Sequence, residues 1–75
     1  MDTLDLRGLR CPLPLLRLKQ GLHQRAAGVE LTVYTSDTGA RRDIPAFLRQ
    51  AGHELLAMSE SADGETCFVI RKEPG

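Results

Sequence analysis

Residues 7–14 read Arg-Gly-Leu-Arg-Cys-Pro-Leu-Pro and set one thiol between an arginine and two prolines, just ahead of a leucine-rich run. A cysteine attacks only as its thiolate, which forms most readily at a helix N-terminus or beside cations. The prolines mark such a terminus. Proline has no backbone N–H, and the first turn of a helix is where those groups lack an intrahelical acceptor, so two prolines fit there and stiffen the entry. On this reading Cys11 is the last residue before the helix, Pro12 its first residue and Pro14 its third. The N–H groups of Leu13 and Leu15 then stay near the sulfur, at the positive end of the helix dipole. With Arg10 adjacent and Arg7 shortly before, Cys11 is expected to have a lowered pKa and to be a nucleophile that a partner can reach. The plain alternative is a small buried packing residue.

Other reactive residues are weaker candidates. Cys67 lies in a strand-like run and reads as packing, with a resolving thiol as the other possibility. The two cysteines with His23 and His53 contain no close ligand pair of the kind zinc sites use, so no metal is expected. His53 follows Gly52, where a cation suits the negative end of a helix. Arg41, Arg42 and Asp43 form a charged loop, either a solvated cap or, if it lies beside Cys11, a docking surface shared with Arg7. Tyr34, Phe47 and Phe68 are the three aromatic residues, and they give no stacking platform for RNA.

The elements that must position the thiol follow from periodicity. Leu4 and Leu6 alternate with Thr3 and Asp5 in a first strand over residues 3–8. Leu15, Leu18 and Leu22 then recur at helical spacing, with Leu16 widening the buried stripe, and Gly28 suits the left-handed residue that closes the helix. Residues 29–35 alternate as a second strand, with Val29, Leu31, Val33 and Thr35 on one face. A second helix ends near Gly52. Pro45 leaves its start open, either Asp43 capping a helix over residues 44–50 or an earlier turn from about Ala40; the first is preferred, with Phe47, Leu48 and Ala51 facing the sheet. Residues 53–60 and 65–72 form a hairpin through Asp63-Gly64, a two-residue turn with positive φ at both positions. The order βαβαββ, with a right-handed first crossover, predicts a four-stranded mixed sheet with two helices on one face, an α/β (α+β) two-layer sandwich.

Composition limits what such a chain can be. Seventy-five residues fit one small domain, taken as 1–75, that buries roughly 60% of its unfolded surface and leaves no room for a large catalytic cavity. Formal net charge is zero, yet residues 1–50 hold eight of the ten Lys/Arg and five of the ten Asp/Glu. That local basic excess suits an acidic partner, while overall neutrality argues against direct nucleic-acid binding. No run approaches a membrane span and two aspartates open the chain, so a monomer in the cytoplasm is expected, with both cysteines reduced.

The stretch Leu-Asp-Leu-Arg-Gly-Leu-Arg-Cys-Pro-Leu-Pro-Leu-Leu-Arg-Leu-Lys resembles the signature of the TusA/SirA sulfur-carrier family, whose hallmark is Cys-Pro-x-Pro at the start of the first helix. The likeness continues through Arg-Asp-Ile-Pro-Ala-Phe-Leu-Arg and Phe-Val-Ile-Arg-Lys, so it spans about residues 4–72. The resemblance implies a two-layer sandwich and a sulfurtransferase-type relay without metal or organic cofactor. Cys11 would accept sulfane sulfur as a persulfide from a cysteine desulfurase or rhodanese-like donor and pass it to a DsrE/TusD-like or other acceptor. Such relays serve tRNA thiolation, cofactor assembly, sulfur oxidation or selenium handling. Two positions depart from the pattern: Thr38 follows Asp37 where many relatives have proline, and Leu48 stands where some have cysteine. The competing expectation is a noncatalytic interaction or redox-regulatory module with the same fold.

Overall fold

Alternation and helical spacing produce six elements in a computed structural model that describes residues 2–73. They are β1 (Asp2–Leu6), α1 (Leu13–His23), β2 (Glu30–Thr35), α2 (Ala40–Ala51), β3 (Glu54–Glu60) and β4 (Thr66–Arg71). The strands form one sheet in the order β1-β2-β4-β3, with β1 parallel to β2 and the other two pairings antiparallel. This is the expected mixed α/β sandwich.

The core follows from the two-residue period. Leu31 and Val33 of β2 sit opposite Ile70 and Phe68 of β4, and all four are fully buried. Leu18 and Leu22 of α1 join the same cluster as Ala40, Ile44 and Leu48 of α2, so both helices cover the same face of the sheet. Burying a large apolar side chain contributes roughly 1.5–3 kcal/mol. Leu48, where some relatives carry cysteine, is 1% exposed and belongs to this core.

Several boundaries differ from the sequence reading. The second helix begins at Ala40, with Pro45 inside it and Asp43 its fourth residue rather than its cap. Turn bonds from the Ala40 and Arg42 N–H groups to the Asp37 and Gly39 carbonyls start it early. Burial of Ala40 and Ile44 offsets the hydrogen bond that Pro45 cannot make. Leu48 faces the core and Phe47 packs against its edge, whereas Ala51 is exposed. Gly52 ends the helix in the left-handed region at φ +83°. Gly28 is also left-handed, but α1 has already ended at His23, and the Gly28 N–H instead bonds the Lys72 carbonyl beside β2.

The hairpin is present, but its turn is not the two-residue kind. Residues 61–65 separate the strands, the Gly64 N–H bonds the Ser61 carbonyl, and only Gly64 has positive φ. On β3 the pairing skips between Leu55 and Ala57, a bulge on an edge strand.

Candidate functional site

The site begins with the loop that leaves β1. Because β1 and β2 run parallel, the loops after them emerge at the same edge of the sheet. The Gly8 N–H bonds Ser36 Oγ at 2.8 Å, which ties the two loops together. Cys11, exposed and unpaired as a thiol, lies in the first loop. The Leu13 N–H donates to the Arg10 carbonyl at 2.8 Å and closes a turn around the Cys11–Pro12 peptide, which is cis.

That turn moves the helix start by one residue. Pro12 is the cap, Leu13 the first helical residue and Pro14 the second. The Leu13 N–H is therefore committed to Arg10 and is not a free donor for the sulfur. Pro14 is buried and anchors the helix start, while Leu13 and Leu16 are 44% and 47% exposed. Leu16 thus lies outside the buried stripe, because both helices already close the core through Leu18, Leu22, Ile44 and Leu48.

The second helix starts at the same place. A Cβ on Gly39 would stand 3.1 Å from Asp37 Oδ2, tighter than ordinary contact, so glycine there makes room for that carboxylate, with Cys11 Cβ at contact range, 4.0 Å away. Pro12, Pro14, Leu15, Ala40 and Ile44 form a narrow apolar crevice beside Cys11, with Asp37 and Asp43 at its edge. Cys11 Sγ donates to Asp43 Oδ2 at 3.7 Å.

These surroundings push the thiol up, not down. Partial loss of water around the sulfur comes first, then the Asp43 charge and hydrogen bond, then the Asp37 charge. Although Cys11 is exposed, it is one of the residues that line the apolar crevice. Arg10 is exposed and forms no ion pair among the described residues. Adjacency in sequence did not translate into a cation at the sulfur; two carboxylates from the neighbouring loop and helix arrive there instead.

Of the proposed docking residues, only Asp43 reaches Cys11. Arg7 pairs with Asp5 at 2.8 Å and Glu65 at 3.6 Å, and its guanidinium lies over the Tyr34 ring. Arg41 pairs with Glu60 at 3.6 Å and donates to the Gly64 carbonyl. Both arginines therefore face the β3–β4 hairpin, and Arg42 remains exposed. Sequence reasoning missed Asp37, whose half-buried side chain leaves Oδ2 without a partner. The parallel pairing of β1 with β2 was the available signal, since it makes their following loops neighbours.

Among the described residues no three His, Cys, Asp or Glu side chains gather as a metal-holding group. His53 uses Nδ1 to accept the Glu73 N–H at 3.1 Å and packs its ring beside Phe47. Cys67 is half-buried in β4 opposite Tyr34. No helix is long and apolar enough to cross a membrane among the described residues.

The exposed thiol of Cys11 therefore lies where the starts of α1 and α2 meet, beside a narrow apolar crevice. A family model described as Sulfurtransferase TusA matches residues 2–72. The chain belongs to this TusA family and is a sulfur carrier. It is similar to a Neisseria meningitidis serogroup A protein provisionally named a sulfur carrier, with 50% identity over 70 residues and 93% of each chain covered. The sulfur carrier protein TusA of Pseudomonas entomophila is 45% identical over 71 residues, 95% of this chain and 88% of the relative. The crystal structure of a SirA-like protein from Desulfitobacterium hafniense superposes with a TM-score of 0.82 at 25% identity, covering 99% of this chain and all of that one. A sulfur carrier works between a protein that supplies sulfur and one that receives it.

Proposed function

We propose that Cys11 is the carrier atom and holds the sulfur as a persulfide. The observation that supports this most is its placement: an exposed, unpaired thiol in the turn where α1 and α2 both begin, within a sulfur-carrier family. In loading, Cys11 Sγ attacks the outer sulfur of a donor persulfide. The new Sγ–S bond forms as the donor's S–S bond breaks, and the Cys11 proton ends on the departing donor thiolate. The sum is Cys11–SH plus R–S–SH giving Cys11–S–SH plus R–SH, with no net oxidation. Discharge repeats the exchange with an acceptor thiol attacking the outer sulfur.

The donor in this reading is a cysteine desulfurase or a rhodanese-like protein, and the acceptor is a DsrE/TusD-like protein. Residues 1–75 act as one monomeric unit in the cytoplasm, where the thiol stays reduced. Arg10, Pro12, Leu13 and Pro14 shape the turn, and Arg42 is the exposed cation offered to a partner beside Asp43.

Intact mass tests the assignment. After incubation with a cysteine desulfurase and cysteine, or with a rhodanese and thiosulfate, the protein should gain about 32 Da, removable by reductant. Cys11→Ser should abolish the gain. Loading that persists in Cys11→Ser, or no loading from either donor, overturns it.

A further inference from the structure

We propose that Asp43 is a positioning residue that keeps the empty carrier in its thiol form and so restrains the reactivity of Cys11. The inference rests on the reading of Cys11 as the carrier atom and assigns a regulation to it.

The geometry carries it. Asp43 Oδ2 lies 3.7 Å from Sγ and accepts the S–H, although the two residues are 32 positions apart. A Cβ on Gly39 would meet Asp37 Oδ2 at 3.1 Å, Asp43 Oδ2 at 3.8 Å and Cys11 Cβ at 4.0 Å, so both carboxylates and the cysteine converge on one glycine. Asp37 Oδ2 has no hydrogen-bond partner, and the Asp37 charge also disfavours the thiolate. The remaining charged neighbour is Arg10, which is exposed and unpaired among the described residues and does not enter the crevice. The charged groups facing Cys11 are therefore Asp43 from α2 and Asp37 from the β2–α2 loop, while Arg10, on its own turn, points to solvent.

A thiolate formed here would lose the hydrogen bond to Asp43 and face two like charges. The thiol is accordingly favoured, and the direction of the Cys11 pKa shift agrees. The consequence is a carrier whose empty form reacts slowly with stray electrophiles and oxidants, because only the thiolate is the nucleophile.

The test is the pH profile of Cys11 alkylation by iodoacetamide in the Cys67→Ser background. Asp43→Asn should lower the midpoint and raise the rate at pH 7.5 about threefold or more, and Asp37→Asn should shift it less. Asp43→Glu, which keeps the charge, should stay closer to the parent. An unchanged or raised midpoint in Asp43→Asn overturns the inference. Should that variant fail to fold, a salt series on the parent decides: added NaCl should speed alkylation at pH 7.5 by screening the carboxylates, and no response overturns it. Alkylation needs no sulfur, so its outcome is separate from the loading experiment. A protein that shows the shift but never loads sulfur defeats the carrier reading, and one that loads without the shift defeats the role of Asp43.

Discussion

Tyr34 and Cys67 stand directly opposite each other across the β2–β4 ladder, on the sheet face turned away from both helices. Cys11 borders Ala40 and Ile44 in the helix layer. The sheet therefore separates the two thiols, and a disulfide needs Cα atoms within about 7 Å. Mild oxidation of the folded monomer should yield no internal Cys11–Cys67 bond by non-reducing peptide mapping, and Cys67→Ser should retain most sulfur loading. An internal disulfide in a protein that keeps its native circular dichroism would show that the two faces communicate.

Leu16 and Leu18 lie two positions apart on α1 but differ sharply in burial, at 47% and 0% exposed. Leu18→Ala should cost about 2–5 kcal/mol in urea unfolding, because it leaves a cavity in the core. That is a large share of the roughly 4–11 kcal/mol expected for a domain of this size. Leu16→Ala should stay within about 0.5 kcal/mol. Equal losses in the two variants would place Leu16 in the core after all.

Asp5 and Arg7 make a paired contact in which the Arg7 Nε and Nη2 donate to the two carboxylate oxygens at 2.9 and 2.8 Å. Side-chain and backbone hydrogen bonds from Arg7 lower the Asp5 pKa from 3.8 to about 2. A lowered folded pKa gives stability that is present above 3.8 and lost as the pH falls toward 2. The pair is solvent-exposed, so its effect on stability is small. In an NMR titration, Arg7→Gln should return the Asp5 midpoint toward 3.8 while the melting temperature near pH 7 changes little. An Asp5 midpoint that ignores the substitution would rule out this pairing in solution.

Much of the fold was legible because it rests on local patterns. Leu31 and Val33 alternate with polar neighbours, and Leu18 and Leu22 repeat at helical spacing, so the faces they bury follow from geometry alone. The errors fell where a distant contact outweighs a local preference. Pro45 argued for a late helix start, but Ala40 and Ile44 are buried by the sheet and draw the helix forward. Asp63-Gly64 argued for a two-residue turn, but the Ser61 N–H bonds the Glu65 carbonyl and fixes a longer loop.

The sequence by itself determined the order of elements, the core-facing strand residues and the position of Cys11 before a proline-led helix. Those features depend on spacing and on the backbone limits of proline. Only the tertiary structure decided the charge around the sulfur. The parallel pairing of β1 with β2 brings their loops together and sets Asp37 and Asp43 beside Cys11, while Arg10, its neighbour in the chain, remains in solvent. A pKa depends on distance through space and on exposure to water, neither of which sequence separation measures.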